Sequence, residues 1–108
     1  MTVSAINMFR LRHGVSAKDF EQFSVELDRP RCLALEVVLG FEVYLVDAAD
    51  SSEVDVIEVM TVASWPEWEK VRDSAPELED VVARFDQLVE PGSVTTVFTR
   101  NSPLPQEI

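Results

Sequence analysis

Val54-Asp55-Val56-Ile57-Glu58-Val59-Met60-Thr61-Val62-Ala63-Ser64-Trp65-Pro66-Glu67 carries the change of period on which the fold turns. Up to Ala63 the stretch alternates Val56, Glu58, Met60 and Val62 against Asp55, Ile57, Val59 and Thr61, with apolar residues on both parities. That pattern predicts a strand covered on both faces and central in its sheet. Ser64 then supplies a helix N-cap, Pro66 is tolerated in the first turn and Glu67 stands three residues on, so a helix begins with Trp65, Trp68 and Val71 inward. Ser74-Ala75-Pro76-Glu77 repeats the same grammar. Leu78, Val81, Val82, Phe85, Leu88 and Val89 follow amphipathic helical spacing, predicting two helical pieces kinked near Pro76.

Working outward, Val3 to Arg12 reads as a first strand, broken by His13-Gly14. Ser16-Ala17-Lys18-Asp19 is an N-cap followed by Phe20, Phe23 and Leu27 at helical spacing. This helix is expected to run to about Asp28 and stop near Arg29, because Pro30 lacks an amide hydrogen and restricts the residue before it. Arg31 to Leu39 is open between a helical turn and an extended connection. After Gly40, Phe41, Val43 and Leu45 face one way and Glu42, Tyr44 and Val46 the other, with a polar loop from Asp47 to Glu53. Glu90-Pro91-Gly92 forms a turn and Ser93 to Thr99 the last strand. The order β-α-β-β-α-β defines an α+β, ferredoxin-like domain with an antiparallel four-stranded sheet and helices on one face. The domain is expected to span residues 1–100, with a C-terminal tail at 101–108.

Composition narrows the function classes. With 108 residues, 9 basic and 20 acidic side chains, the formal charge is −11, and arginines scattered from Arg10 to Arg100 make no phosphate-binding stripe, so nucleic acid is excluded as a partner. A 46% hydrophobic fraction with three glycines describes a globular chain. No apolar run is long enough for a membrane span and the first residues lack a signal core, so the expected location is cytoplasmic. One cysteine and one histidine make no zinc set, the Asp47–Asp55 region lacks calcium-loop spacing, and no metal is expected. Dinucleotide, Walker, nucleophile-elbow and zincin motifs are absent from the sequence.

Two helices cover one sheet face, yet the strands are apolar on both. Ile6, Met8, Val43, Leu45, Ile57, Val59 and Val97 are assigned to the helix-packed face. Asn7, Phe9, Leu11, Glu42, Tyr44, Val56, Glu58, Met60, Val94, Thr96 and Phe98 are assigned to the other, which a second copy is expected to cover in a homodimer enclosing a shared pocket. Within that set Glu58 is the foremost candidate, because a carboxyl desolvated among Val56, Met60 and Tyr44 is suited to proton transfer. Tyr44 and Asn7 join it as catalytic candidates, Tyr44 donating a hydrogen bond to a carbonyl or imine; alternatively the three satisfy one another or line a rim.

Phe9, Met60, Trp65 and Phe98 as walls, with Asp28, Arg29 and Cys32 as polar contacts, make the expected substrate-binding set. A guanidinium in Asp28-Arg29-Pro30-Arg31-Cys32 would grip a substrate carboxylate; the alternative is a helix terminus with arginine at its negative end. Cys32 reads as a small buried apolar group more than a nucleophile, and His13 as exposed in a turn. Trp65 and Trp68, with Arg72 and Asp73, either close one end of the pocket or anchor the helix, and their spacing favours anchoring.

Ile6-Asn7-Met8-Phe9-Arg10-Leu11-Arg12-His13-Gly14-Val15-Ser16, followed by Phe20 and Phe23, resembles the first strand and helix of the dimeric α/β-barrel superfamily. Asp28-Arg29-Pro30 with Cys32-Leu33, Gly40-Phe41-Glu42-Val43-Tyr44, and Val56-Ile57-Glu58-Val59-Met60 leading into Ser64-Trp65 and Trp68 resemble the RedY-like proteins found with prodiginine and bisindole biosynthesis. His13 stands where these turns often carry proline. The resemblance implies a dimeric, cofactor-free tailoring enzyme acting by acid/base chemistry on a small aromatic heterocycle, a reactive pyrrole or indole intermediate of a bacterial pathway. It equally admits a binding protein that shields such an intermediate or docks on a pathway enzyme, or a cofactorless monooxygenase, since fold alone does not select a reaction.

Overall fold

The computed structural model describes residues 2–47 and 53–103, so residues 48–52 of the expected loop and 104–108 of the expected tail lie outside the described residues. The strands are β1 (Val3–Phe9), β2 (Val38–Leu45), β3 (Val56–Val62) and β4 (Thr95–Thr99). They form one antiparallel sheet in the order β2-β3-β1-β4, which places β1 and β3 inside, as the doubly apolar pattern of β3 requires. The fold is ferredoxin-like. β1 stops before the expected Arg12, because Leu11 gives its N–H to the Asp55 carboxylate at 2.9 Å and bridges only to Val89.

Helix α1 (Ala17–Phe23) starts at a capping box: the Asp19 N–H donates to Ser16 Oγ at 3.1 Å and the Ser16 N–H to Asp19 Oδ2 at 3.0 Å. Ser16→Ala is expected to lower the thermal midpoint by about 4 °C, read by circular dichroism, since one of the orphan amides loses its acceptor.

The first helix does not stop at Pro30, which corrects the expected boundary. It widens into a π-helical segment, Ser24–Asp28, where the Arg29 N–H reaches back to the Ser24 carbonyl, and resumes as α2 (Arg29–Leu33). In an unbroken α-helix Pro30 would clash with the carbonyl four residues earlier and leave it unpaired. The wide turn instead places Pro30 in the first turn of a new segment, where a missing N–H costs little. Its consequence is functional: Ser24, Asp28 and Cys32, four residues apart, are all buried. Arg31 to Leu33 are thus helical and β2 begins at Val38, with a bulge between Val38 and Gly40.

Helix α3 (Trp65–Ser74) begins at the Ser64 cap, a short 3₁₀ turn covers Pro76–Leu78, and α4 (Glu79–Leu88) follows, giving the kink at Pro76. Between helices and sheet lies a phenylalanine cluster. Phe9 meets Phe20 and Phe85 edge-on at centroid distances of 5.4 and 5.3 Å, and Phe20 meets Phe23 at 5.6 Å.

On β1, β3 and β4 the two faces of the sheet are reversed from the sequence assignment. Ala5, Phe9, Val56, Glu58, Met60 and Val62 are buried beneath the helices, and the register aligns Asn7 and Val43 with Glu58 on that same face. Ile6, Met8, Ile57, Val59 and Val97 occupy the open face. Alternation separates two faces of a strand without saying which one the helices take, and here the more uniformly apolar parity is the one they leave uncovered. β2 keeps its assigned sides, Val43 and Leu45 under the helices and Glu42 and Tyr44, pairing with Val59 and Ile57, on the open face; the error lay in how β2 was matched to its neighbours.

Candidate functional site

The sheet register brings the polar groups of the helix face together. Asn7 on β1 pairs with Glu58 on β3 at one side and Thr96 on β4 at the other. Above them the π-helical turn presents Asp28 and α2 presents Cys32, and α3 and α4 supply Trp65, Trp68, Arg72, Val81 and Phe85. Together with Phe41 and Met60 these residues line a cavity of about 270 Å³. That volume lies just below the roughly 300–1,000 Å³ of small-molecule sites, a size for a small ligand. The hollow therefore lies between sheet and helices of one chain, not behind the sheet as expected from the sequence.

Glu58 is 5% exposed, and its Oε2 is buried with no hydrogen-bond partner among the described residues. Desolvation, reinforced by the nearby Asp28 carboxyl and only partly offset by the Arg29 charge, pushes Glu58 well above the usual carboxylate range. Asp28 is pushed up to about 6, chiefly by burial, against the opposing pull of a hydrogen bond from Cys32 Sγ at 3.4 Å and the charge of Arg29. Burial and the adjacent Asp28 push the Cys32 thiol up, so it is no thiolate near neutrality. The Asn7 amide is fixed by the Thr96 hydroxyl, which donates to its Oδ1 at 2.6 Å, leaving its NH₂ for a ligand. The site thus holds a buried carboxyl whose neutral form is favoured by desolvation, beside an amide donor and among aromatic side chains.

A family description, REDY-like protein HapK, matches residues 3–101. The chain belongs to the REDY-like HapK family. Comparison with curated proteins gives no match. Among solved structures, this HapK-family chain is similar to HapK from Hahella chejuensis, with 17% identity, 98% of each chain covered and a TM-score of 0.78. It is also similar to a dimeric ferredoxin-like protein of unknown function from Bacteroides fragilis, at 15% identity, 93% and 96% coverage and TM-score 0.69. A dimeric ferredoxin-like protein of unknown function from Thermobifida fusca gives 15% identity, 92% and 90% coverage and TM-score 0.70. At these identities the likeness speaks for the fold.

Of the residues singled out in the sequence, Glu58, Asn7, Asp28, Cys32, Met60 and Trp65 meet in this cavity. Tyr44 does not: it is 51% exposed on the opposite face, where its hydroxyl donates to Glu42 Oε2 at 2.6 Å. Phe9 is core, packed against Phe20 and Phe85. Arg29 is no carboxylate clamp in the cavity; its Nε donates to Ser24 Oγ at 2.9 Å. Phe98 stacks edge-on against Trp65 at 4.8 Å and borders a shallow depression with Val3 and Pro66.

Trp68 and Arg72 line the cavity, although spacing had favoured an anchoring role; Trp68 does both, being buried and facing the hollow. Phe41, Leu78, Val81 and Phe85 were legible only as core, because a cavity wall and a packed core use the same periodicity. Among the described residues no cluster of three or more His, Cys, Asp or Glu is arranged for a metal, and no helix is long and apolar enough to cross a membrane.

Proposed function

We propose that the cavity binds a flat, N–H-bearing heterocycle of the pyrrole or indole class and that the protein is a cofactor-independent tailoring enzyme. Glu58 moves a proton at an imine or carbonyl, and Asn7 holds the same group by its amide. The observation that carries this reading is the buried Glu58 carboxyl, whose Oε2 has no hydrogen-bond partner among the described residues, in the wall of an aromatic cavity. A buried carboxyl whose pKa is raised is a competent general acid, and its conjugate base is correspondingly strong. The resemblance to RedY-like proteins supports an intermediate of prodiginine or bisindole biosynthesis as the substrate, handled in the cytoplasm by a single domain of residues 1–100.

Glu58→Gln is expected to reduce turnover of that intermediate by about 100- to 10,000-fold, measured by product formation with protein well below substrate. Unchanged turnover would remove Glu58 from the mechanism. One-to-one protection without turnover would make the protein a shield for the intermediate, and dioxygen uptake would make it a monooxygenase.

The protein acts as a homodimer through its open sheet face, where Ile6, Met8, Ile57, Val59 and Val97 form an apolar surface of the kind monomers rarely expose. The Bacteroides and Thermobifida proteins, described as dimeric, support this. Sedimentation is expected to give the mass of two chains for the wild type and of one for Val59→Glu; a one-chain mass for both would end the dimer reading.

A further inference from the structure

The charged groups around the cavity are unevenly signed with depth. Glu58 from β3 and Asp28 from the π-helical turn are both buried and both line the hollow, and Glu58 Oε2 has no partner among the described residues. Among the described residues the side-chain hydrogen bond to Asp28 comes from the weak thiol of Cys32. Positive groups stand back from them. Arg29 is held by Ser24 Oγ and does not line the cavity. Arg72, on α3, reaches the wall but is partly exposed and shares its guanidinium with Asp73 at 3.0 Å and Glu69 at 3.8 Å. The remaining neighbours, Asn7 and Thr96, are neutral and bonded to each other. The deep end therefore presents two carboxyls with no ion-pair partner among the described residues, the Arg29 charge acting on them without a direct contact, and they are enclosed by Trp65, Trp68, Phe41 and Phe85, whose ring faces attract cations.

We infer that the cavity selects its heterocycle as a cation, a protonated nitrogen of iminium or amidinium type held by Glu58 and Asp28. The inference rests on the heterocycle-binding reading above and adds Asp28 as a specificity-determining residue. A cation beside Glu58 favours the ionised carboxylate, so binding converts the Glu58 carboxyl to carboxylate and releases its proton to solvent.

Titration calorimetry of the full chain at pH 7 with indole-2-carboxamidine and its neutral isostere indole-2-carboxamide, each in two buffers of different ionisation enthalpy, tests this. The amidine is expected to bind at least about tenfold more tightly than the amide and to release up to about one proton per site. Glu58→Gln and Asp28→Asn each shrink that preference, read as the ratio of the two affinities, to about threefold or less, and Glu58→Gln abolishes most of the proton release. Equal binding of the two probes by the wild type overturns charge selection and leaves the heterocycle reading standing. Binding of neither overturns both. The proton count on the wild type is independent of whether either variant folds.

Discussion

Phe20→Ala lowers the thermal unfolding midpoint by roughly 12–20 °C, followed by circular dichroism at neutral pH. Phe20 is fully buried and its ring touches Phe9, Phe23 and Phe85, at centroid distances of 5.4, 5.6 and 6.4 Å. Truncating such a ring removes its transfer free energy and leaves a hole that close-packed neighbours only partly fill, a cost of about 3–5 kcal/mol. Against the roughly 5–15 kcal/mol that holds a domain of this size together, that is a large share. The damage also reaches the site, because Phe85 lines the cavity and is backed by Phe9 and Phe20. Phe20→Leu keeps most of the volume and should recover most of the loss. A fall of less than about 4 °C for the alanine variant would show that this cluster is not the packed centre of the protein.

Glu58→Gln raises the thermal midpoint at pH 8 and leaves it nearly unchanged at pH 4. Burial and the Asp28 carboxyl raise the folded-state pKa of Glu58 well above the ordinary value of 4.5. Below that value the group is protonated in folded and unfolded chains alike and contributes nothing. As pH climbs from there toward the raised folded value, the unfolded chain gives up its proton first, so the wild type loses stability that the glutamine variant keeps. Asp28 works in the same direction: with its pKa raised from 3.8 to about 6, Asp28→Asn relieves up to about 3 kcal/mol by pH 7. Midpoints measured across this range for both variants check the sign. A Glu58→Gln variant that is less stable than wild type at pH 8 and equal to it at pH 4 would mean that the buried carboxyl is ionised and paired in the native protein. The stability forgone as pH rises is the structural cost of burying a carboxyl in an aromatic cavity, and it explains why relief of that cost and loss of turnover are expected from the same substitution.

Much of the architecture was legible from local chemistry. Ser16 and Ser64 announced two helix starts, Pro76 marked a kink, and the doubly apolar run Val56–Val62 required an interior strand. Glu58 could be singled out because a carboxylate embedded in such a run has nowhere wet to go. Pro30 misled, since proline forbids a regular α-helical hydrogen bond but not a wider turn that needs no bond there; only the packed helix shows that the chain takes the π-helical alternative and thereby buries Asp28.

Sequence alone determined the order of elements, the helix caps and the presence of an acid among apolar neighbours, because these depend on residues within a few positions of one another. The tertiary structure decided which side of the sheet the helices cover, and with it that Glu58 shares a hollow with Asp28 and Trp68 while Tyr44 lies on the far side. Alternation repeats every two residues on both faces, so sidedness follows from long-range register and from how the helices cross the sheet, and neither is written in any single stretch of the chain.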